Sequence, residues 1–314
     1  MSVLKYIAQR LVLSVPVFLG VATIVFLVVR VIPGDPAVSA LGDYASKEAV
    51  EALRQRMGLN EPLVLQYVHF LMNLVRGDLG TSMITGSSIG DEILRVLPYT
   101  LELTVLAIII GSVLGIPIGV YTAIRRNQLA DYLGRILSLT GLSVPAFYLG
   151  ILLMLLLAIQ LNWVPAVGGG GMNDLGENLR HLVLPALTLG LVMTASVARL
   201  ARSAMLNVLR QDYVRTARAK GLKERVVHLR HALRSALIPI ISVTGIWAVS
   251  LIGDSVTVEL VFARPGLGKM MVGAILQRDY TALQSIMVVY TCFVVVINLA
   301  IDLIYGWVDP RIRH

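Results

Sequence analysis

The chain has 314 residues, of which 56% are hydrophobic and 15% charged, with a formal net charge of +8. A soluble domain of this length carries about 25% charged residues, and the mean hydropathy here is +0.78. Composition therefore excludes an ordinary soluble enzyme and points to an all-α, polytopic membrane protein.

Six apolar runs are long enough to span a bilayer, which takes about 20 mostly apolar residues. They cover residues 11–31, 101–124, 136–161, 182–198, 236–261 and 285–307, the fourth being the shortest. Lys5 and Arg10 precede the first run as they would in a signal peptide, but signal cores run about 7–15 residues. This run is longer and reads as an uncleaved span.

Residues 32–98 form a long polar segment that opens on the turn Pro33-Gly34-Asp35-Pro36. Within it, residues 46–57 predict a short helix, N-capped by Ser46 and ended by Gly58. Pro62 starts a second, amphipathic stretch with Leu63, Tyr67, Phe70, Leu71 and Leu74 on one face. The segment reads as an ordered cap without the core of an independent domain.

The second span carries Gly111, Gly115 and Gly119, four apart on one face, a spacing that lets helices approach closely in lipid. Pro117 lies between them and predicts a kink. Gly168 to Gly171 reads as a flexible turn after the third span.

Lys and Arg set the orientation. With both termini in the cytoplasm, the basic residues concentrate in the short cytoplasmic loops, ten of them between Arg199 and Arg234. The net charge then reflects topology, and no aromatic-interleaved basic patch of the nucleic-acid-binding kind is present. In residues 199–219 the positions Met205, Leu206, Leu209, Tyr213 and Ala217 recur at helical spacing, and Gly221 can end that helix after Lys220. A second basic helix over residues 223–234 leads into the fifth span. This helix-turn-helix suits an anionic lipid surface and a protein partner alike.

Within the spans Asp254 and Glu259 are candidate pathway residues, because a charge near mid-bilayer costs a few kcal/mol unless it faces the bundle or water. Asn298 and Asp302, four apart, are expected to hydrogen-bond within the bundle. Cys292 is the lone cysteine, which excludes an intrachain disulfide and leaves it as an apolar packing residue. Gly266-Leu267-Gly268-Lys269 lacks the first Gly and the final Ser or Thr of a phosphate loop. The histidines show no metal-ligand spacing, and no Gly-x-Ser-x-Gly elbow is present. With no engine of its own, active transport must be powered by another subunit.

The basic segment resembles the coupling loop of ABC importer permeases. Ala217, Gly221 and Leu233 keep the general loop's spacing. Thr216-Ala217-Arg218-Ala219-Lys220-Gly221 and Arg230-His231-Ala232-Leu233-Arg234 match its dipeptide/oligopeptide/nickel branch. Further matches are Pro33-Gly34-Asp35-Pro36, Gly77-Asp78-Leu79-Gly80-Thr81-Ser82, Leu184-Pro185-Ala186, Glu259-Leu260-Val261-Phe262, Pro265-Gly266-Leu267-Gly268, Arg278-Asp279-Tyr280 and the tail Asp309-Pro310-Arg311-Ile312-Arg313. The resemblance implies a type I permease of six transmembrane helices, one permease domain over residues 1–314, in a bacterial inner membrane. It also implies a coupling loop over residues 199–235, with Arg215, Thr216, Ala217, Arg218, Ala219, Lys220, Gly221, Leu222, His231, Leu233 and Arg234 as its site residues.

The implied partners are a C-type permease, two ATPase subunits and an extracytoplasmic solute-binding protein. ATP is then bound by the partner subunits, and no cofactor or metal by this chain. The implied substrate is a dipeptide, oligopeptide or glutathione-like peptide, with a nickel chelate as the alternative. An ATP-independent secondary transporter would need an intramembrane ion path and an inverted repeat, neither of which is evident.

Overall fold

A computed structural model describes residues 3–31, 35–42 and 44–308. In chain order the helices are α1 (Val3–Val31), α2 (Pro36–Leu41), α3 (Lys47–Arg56), α4 (Leu63–Val75), α5 (Ile89–Ile124), α6 (Leu129–Ser143) and α7 (Ala146–Leu153). A π-helical stretch, Met154–Gln160, extends α7. Then follow α8 (Leu175–Val208), α9 (Asp212–Ala219), α10 (Glu224–Val226), a π-helical segment Val227–Ala232, α11 (Leu233–Val261), α12 (Leu267–Gln277) and α13 (Tyr280–Val308). The described residues pair as β-structure only at an isolated bridge, Thr81 with Ser88. The Pro33-Gly34 half of the expected turn, the tail from residue 309 and the Asp302 side chain lie outside the described residues.

Among the described residues five helices are long and apolar enough to cross a membrane, or six if one bent pair is a single span. That pair is the third apolar run, which departs from a straight span: α6 and α7 with its extension are bent by 105°. The cause is local. Proline disfavours helical backbone in the residue before it, and Val144, ahead of Pro145, is extended at φ −89°, ψ 121°. Each arm has 15 residues, about 22 Å of helix, against roughly 30 Å of hydrocarbon core. The fourth run also differs. Read as the shortest span, it lies inside the 34-residue α8. Hydropathy registers only the apolar middle of a helix whose ends carry Glu177, Arg180 and Arg202.

The described residues divide into two compact units, one drawn from the chain before residue 99 together with residues 265–295, the other of residues 99–264 and 296–308. In the first, α4 docks on α1. Phe26 meets Tyr67 edge-on at 5.1 Å between ring centroids and stacks on Phe70 at 5.7 Å. Thr23 and Tyr67 share a hydrogen bond of 2.6 Å. Of the expected apolar face, Tyr67, Phe70, Leu71 and Leu74 are half-buried while Leu63 is exposed. Ser46 caps α3 by accepting from Ala49 N–H, and Gly58 follows in the left-handed region at φ +65°. Asp35 caps α2 through Ala37 N–H and accepts from Arg54. Ser82 donates to Asp279 at 2.5 Å, and Ser285 donates to the Leu79 carbonyl at 2.7 Å.

The second unit is built round α8, 78% of whose apolar window is buried against 33% for the segment containing α11. The glycine face of α5 lies directly against α8. A Cβ at Gly111 would stand 2.5 Å from Met193, one at Gly115 2.8 Å from Val197, and one at Gly119 2.4 Å from the Ala198 carbonyl oxygen. Such separations are below contact distance, so only glycine permits this packing. α5 remains helical through Pro117. The run Gly168 to Gly171, expected to be flexible, is pinned: Gly168 N–H donates to Phe262 at 2.8 Å, and the Gly170 carbonyl accepts from Tyr99 at 3.0 Å. On α13, Asn298 is exposed, and the thiol-bearing Cys292 is exposed instead of packed.

Candidate functional site

The basic segment is two short helices packed on each other, with α8 ending before them. Residues 199–219 do not form the single helix expected from their periodicity. α8 stops at Val208, Gln211 is extended at φ −72°, ψ 149°, and α9 begins at Asp212. Val214, Ala217 and Val227 form a small buried cluster, with Val208 and Leu209 against it. This cluster fixes α9 to the π-helical start of α11. The apolar positions are therefore shared between two helices, except that Tyr213 is exposed and its neighbour Val214 is buried in its place.

Around that anchor the polar side chains are outside. Tyr213, Arg215, Thr216, Arg218, Ala219, Lys220, Gly221 and Leu222 are exposed. Arg218 donates to Glu224 at 2.9 and 3.4 Å, and His228 lies 2.9 Å from the same carboxylate. Among the described residues Arg215 has only Asp212 at 3.5 Å, between two highly exposed side chains. Gly221 is left-handed at φ +74° with open space where a Cβ would stand. That conformation is readily reached by glycine. Ala217 is buried in the anchor, His231 and Leu233 are half-buried, and Arg234 is exposed.

Asp254 is half-buried on α11. Glu259, one turn further on, is fully buried and accepts from Thr100 of α5 at 2.6 Å. The two acids therefore sit in different surroundings on one helix.

Two buried charge groupings were not singled out by the sequence. In the first, fully buried Asp131 on α6 accepts from Arg202 of α8 at 2.6 and 2.9 Å, with Arg135 at 3.8 Å. Asn127, at positive φ, donates its backbone N–H to the same carboxylate. In the second, fully buried Arg264 closes on Glu102 and donates to Asn178 at 3.0 Å and to the Gly169 carbonyl at 3.4 Å. Asn178 in turn donates to Glu102 at 2.7 Å. Asn178 thus serves both charged partners, with its oxygen toward Arg264 and its nitrogen toward Glu102. Asp131 stands four residues before Arg135, but its stronger partner is 71 residues away, which no local spacing reveals. Among the described residues no three His, Cys, Asp or Glu side chains gather as metal ligands.

The architecture has solved counterparts. Inward-facing MetNI, a methionine ABC transporter, matches with a TM-score of 0.55 at 20% identity, over 69% of this chain and 96% of that one. An amino acid ABC transporter with histidines matches at 0.53 and 16%, over 68% and 93%. The fold is that of a type I ABC importer permease. Residues 115–314 match the family described as binding-protein-dependent transport system inner membrane component, and residues 3–104 match its N-terminal companion family. The chain belongs to the binding-protein-dependent transport system inner membrane component family.

Among its relatives are the dipeptide transport system permease protein DppB of Alkalihalophilus pseudofirmus, 39% identical over 99% of this chain and 100% of that protein. The glutathione transport system permease protein GsiC of Pectobacterium atrosepticum is 41% identical over 99% of each. GsiC of Salmonella typhimurium is 40% identical over the same shares. The chain is thus a multi-pass inner-membrane permease subunit of an ABC importer and carries no ATPase activity itself. Importers of this family combine such permeases with ATPase subunits and a substrate-binding protein.

Proposed function

We propose that this chain is the B-type half of a heterodimeric peptide permease, importing dipeptides or glutathione-like peptides together with a C-type permease, two ATPase subunits and an extracytoplasmic binding protein. The observation that carries this reading is full-length similarity, 39–41% identical without large gaps in coverage, to permeases named for dipeptide and for glutathione transport. Both termini and the loop of residues 199–235 face the cytoplasm, following the bias of Lys and Arg toward that side. ATP is bound by the partner subunits, and this chain holds no cofactor.

The loop is the seat of the ATPase. Its buried cluster of Val214, Ala217 and Val227 supplies rigidity. Its exposed Tyr213, Arg215 and Arg218 supply the contact surface, the aromatic and arginine side chains that protein interfaces favour. Push on α9 is then delivered directly to α11 and to α8, the two helices that bound the loop. Asp254 faces the path of the substrate and favours a peptide amine, while Glu259 holds α11 to α5 at the gate side.

The test is reconstitution of the chain with the permease, ATPase and binding protein encoded beside it. ATP-dependent uptake of labelled dipeptides or glutathione is expected. Uptake of a nickel chelate alone, or uptake that persists without the ATPase subunits, overturns the reading. Asp254→Asn is expected to reduce uptake of cationic peptides more than of neutral or anionic ones. Equal uptake of all three would remove Asp254 from the pathway.

A further inference from the structure

A cavity of about 200 Å³ opens between α5, α6 and α8. Its polar lining is Arg135, Arg199, Arg202, Ser138, Ser203 and Thr122. Thr122 spends its hydroxyl on the Gly119 carbonyl. Ser138 is only 7% exposed, and its hydroxyl makes no hydrogen bond among the described residues. The charges do not balance. Asp131 is the carboxylate at this end of α6, and it is occupied by the Nε and one terminal nitrogen of Arg202. Arg199 is exposed and pairs with no carboxylate among the described residues, and Arg135 approaches Asp131 only to 3.8 Å. Two guanidinium charges and free hydroxyl donors therefore face one small volume.

That chemistry is selective. Arginine forks match the geometry of phosphate oxygens, and charge-assisted hydrogen bonds to them are about twice as strong as neutral ones. The remaining walls identify the source of the phosphate. Ile118 and Leu139 line the cavity on its apolar side. Both are partly exposed, 42% and 57%, so this apolar wall opens outward beside the arginines. A ligand that fills both regions has an anionic head and a hydrocarbon tail. Basic pockets between membrane helices bind such headgroups.

We infer that this cavity is a seat for the phosphate of an anionic phospholipid, held by Arg135, Arg199 and Ser138 with its acyl chain along α6. The buried Asp131–Arg202 pair orients the site: it holds α6 and α8 together and keeps the Arg202 fork in place. Phosphate bound there ties α6 to the last turns of α8, immediately before α9. Lipid occupancy therefore stiffens the base on which the basic loop stands.

The experiment uses the assembled transporter, purified in detergent and stripped of lipid. Phosphatidylglycerol, phosphatidylcholine of the same chain length and inorganic phosphate are titrated in turn, with bound lipid counted by native mass spectrometry and stability read as Tm. Phosphatidylglycerol is expected to bind and raise Tm, and phosphatidylcholine to do neither. The double change R135Q/R199Q is expected to weaken phosphatidylglycerol binding roughly tenfold or more, as loss of charged hydrogen bonds implies. R210Q/R225Q, equal in charge and outside the cavity, is expected to leave binding unchanged. Arg199→Gln alone alters an exposed side chain and serves if the double variant fails to fold. Unaltered phosphatidylglycerol affinity in Arg199→Gln and R135Q/R199Q overturns the proposal. So does stabilisation by inorganic phosphate that phosphatidylglycerol cannot increase, since the site would then take the free ion.

Discussion

Arg264 and Glu102 lie 162 positions apart in the chain, yet the fully buried guanidinium of the first closes on the carboxylate of the second. Asn178 bridges the two, and the Gly169 carbonyl takes a further N–H from Arg264. The group thus joins α5, α8, the glycine run and the end of α11. Burial draws the guanidinium below its ordinary pKa, and the Glu102 charge opposes this. Removing one partner of a buried pair leaves an uncompensated charge, which costs about 3–5 kcal/mol. Arg264→Met and Glu102→Gln are both expected to lose stability of that order, the second because it leaves the fully buried guanidinium without its countercharge. Tm of the purified complex measures both. A loss under about 1 kcal/mol for Arg264→Met would show that the network contributes no more than an exposed pair.

The seam between α5 and α8 gives a second, steric prediction. A Cβ at Gly119 meets the Ala198 carbonyl oxygen at 2.4 Å, a backbone atom that cannot rotate away, while one at Gly253 on α11 meets nothing within 4 Å. Gly119→Ala is expected to destabilise by about 1–3 kcal/mol through overpacking, and Gly253→Ala to be neutral. Equal Tm values for the two variants would mean that the helices separate freely.

At Gly221 the constraint is backbone conformation alone, since there is space for a side chain but φ is +74°. A left-handed L-residue costs about 1–2 kcal/mol, less for Asn. Gly221→Val is expected to distort the turn between α9 and α10 and to lower uptake per ATP hydrolysed. Gly221→Asn should retain most of the coupling. The ratio of substrate imported to phosphate released is the measurement, and an unchanged ratio in Gly221→Val counts against the loop as the seat of the ATPase.

Charge reversal separates the two exposed arginines of α9. Arg218 is tied to Glu224, so Arg218→Glu also repels its own loop. Arg215 has a loose, solvent-exposed partner in Asp212, so Arg215→Glu alters the contact surface with little internal effect. Both are expected to reduce ATPase stimulation, but only Arg218→Glu to lower Tm as well. Co-purification of the ATPase with normal coupling in Arg215→Glu would refute the assigned contact.

The Asp35–Arg54 pair predicts a pH effect in the segment between α1 and α5. Burial opposes ionisation of Asp35, but the Arg54 guanidinium and the backbone N–H of Ala37 outweigh it and hold the carboxyl below its ordinary range. A depressed folded pKa means stability that is present above the unfolded value, about 3.9, and lost as pH falls through the folded one. Protection of the α2 and α3 amides, taken as exchange relative to the intrinsic rate at each pH, is expected to fall below about pH 4 in the parent chain, and to be already low at neutral pH in Asp35→Asn. Identical exchange in the two proteins at pH 7 would remove the pair as the tether.

Much of this protein is legible in one dimension because its signals are local. Ser46 and Gly58 mark the ends of α3, and the Gly111, Gly115 and Gly119 repeat marks a close helix contact. The motifs from Thr216 to Gly221 and from Arg230 to Arg234 point to the importer family, which the full-length relatives then show. The bend at Val144-Pro145 was also written locally, but the apolar run passes straight through it and hides it from hydropathy. The break between α8 and α9 escaped for a related reason: both helices turn apolar residues toward one buried cluster, so the periodicity continues although the helix does not.

Composition and pattern determined by themselves that the chain is a helical membrane protein, where its main apolar runs lie and to which family it belongs. They could do so because lipid admits few spanning structures and because caps, glycines and motifs act within a few residues. Only the tertiary structure decided which glycine face meets which helix and that the Gly168 to Gly171 run is pinned. It alone decided that Asp131 belongs to Arg202 and Glu102 to Arg264. Those partners are brought together by packing across tens to hundreds of positions, and a buried charge takes whichever countercharge the packing brings to it, however distant in the chain.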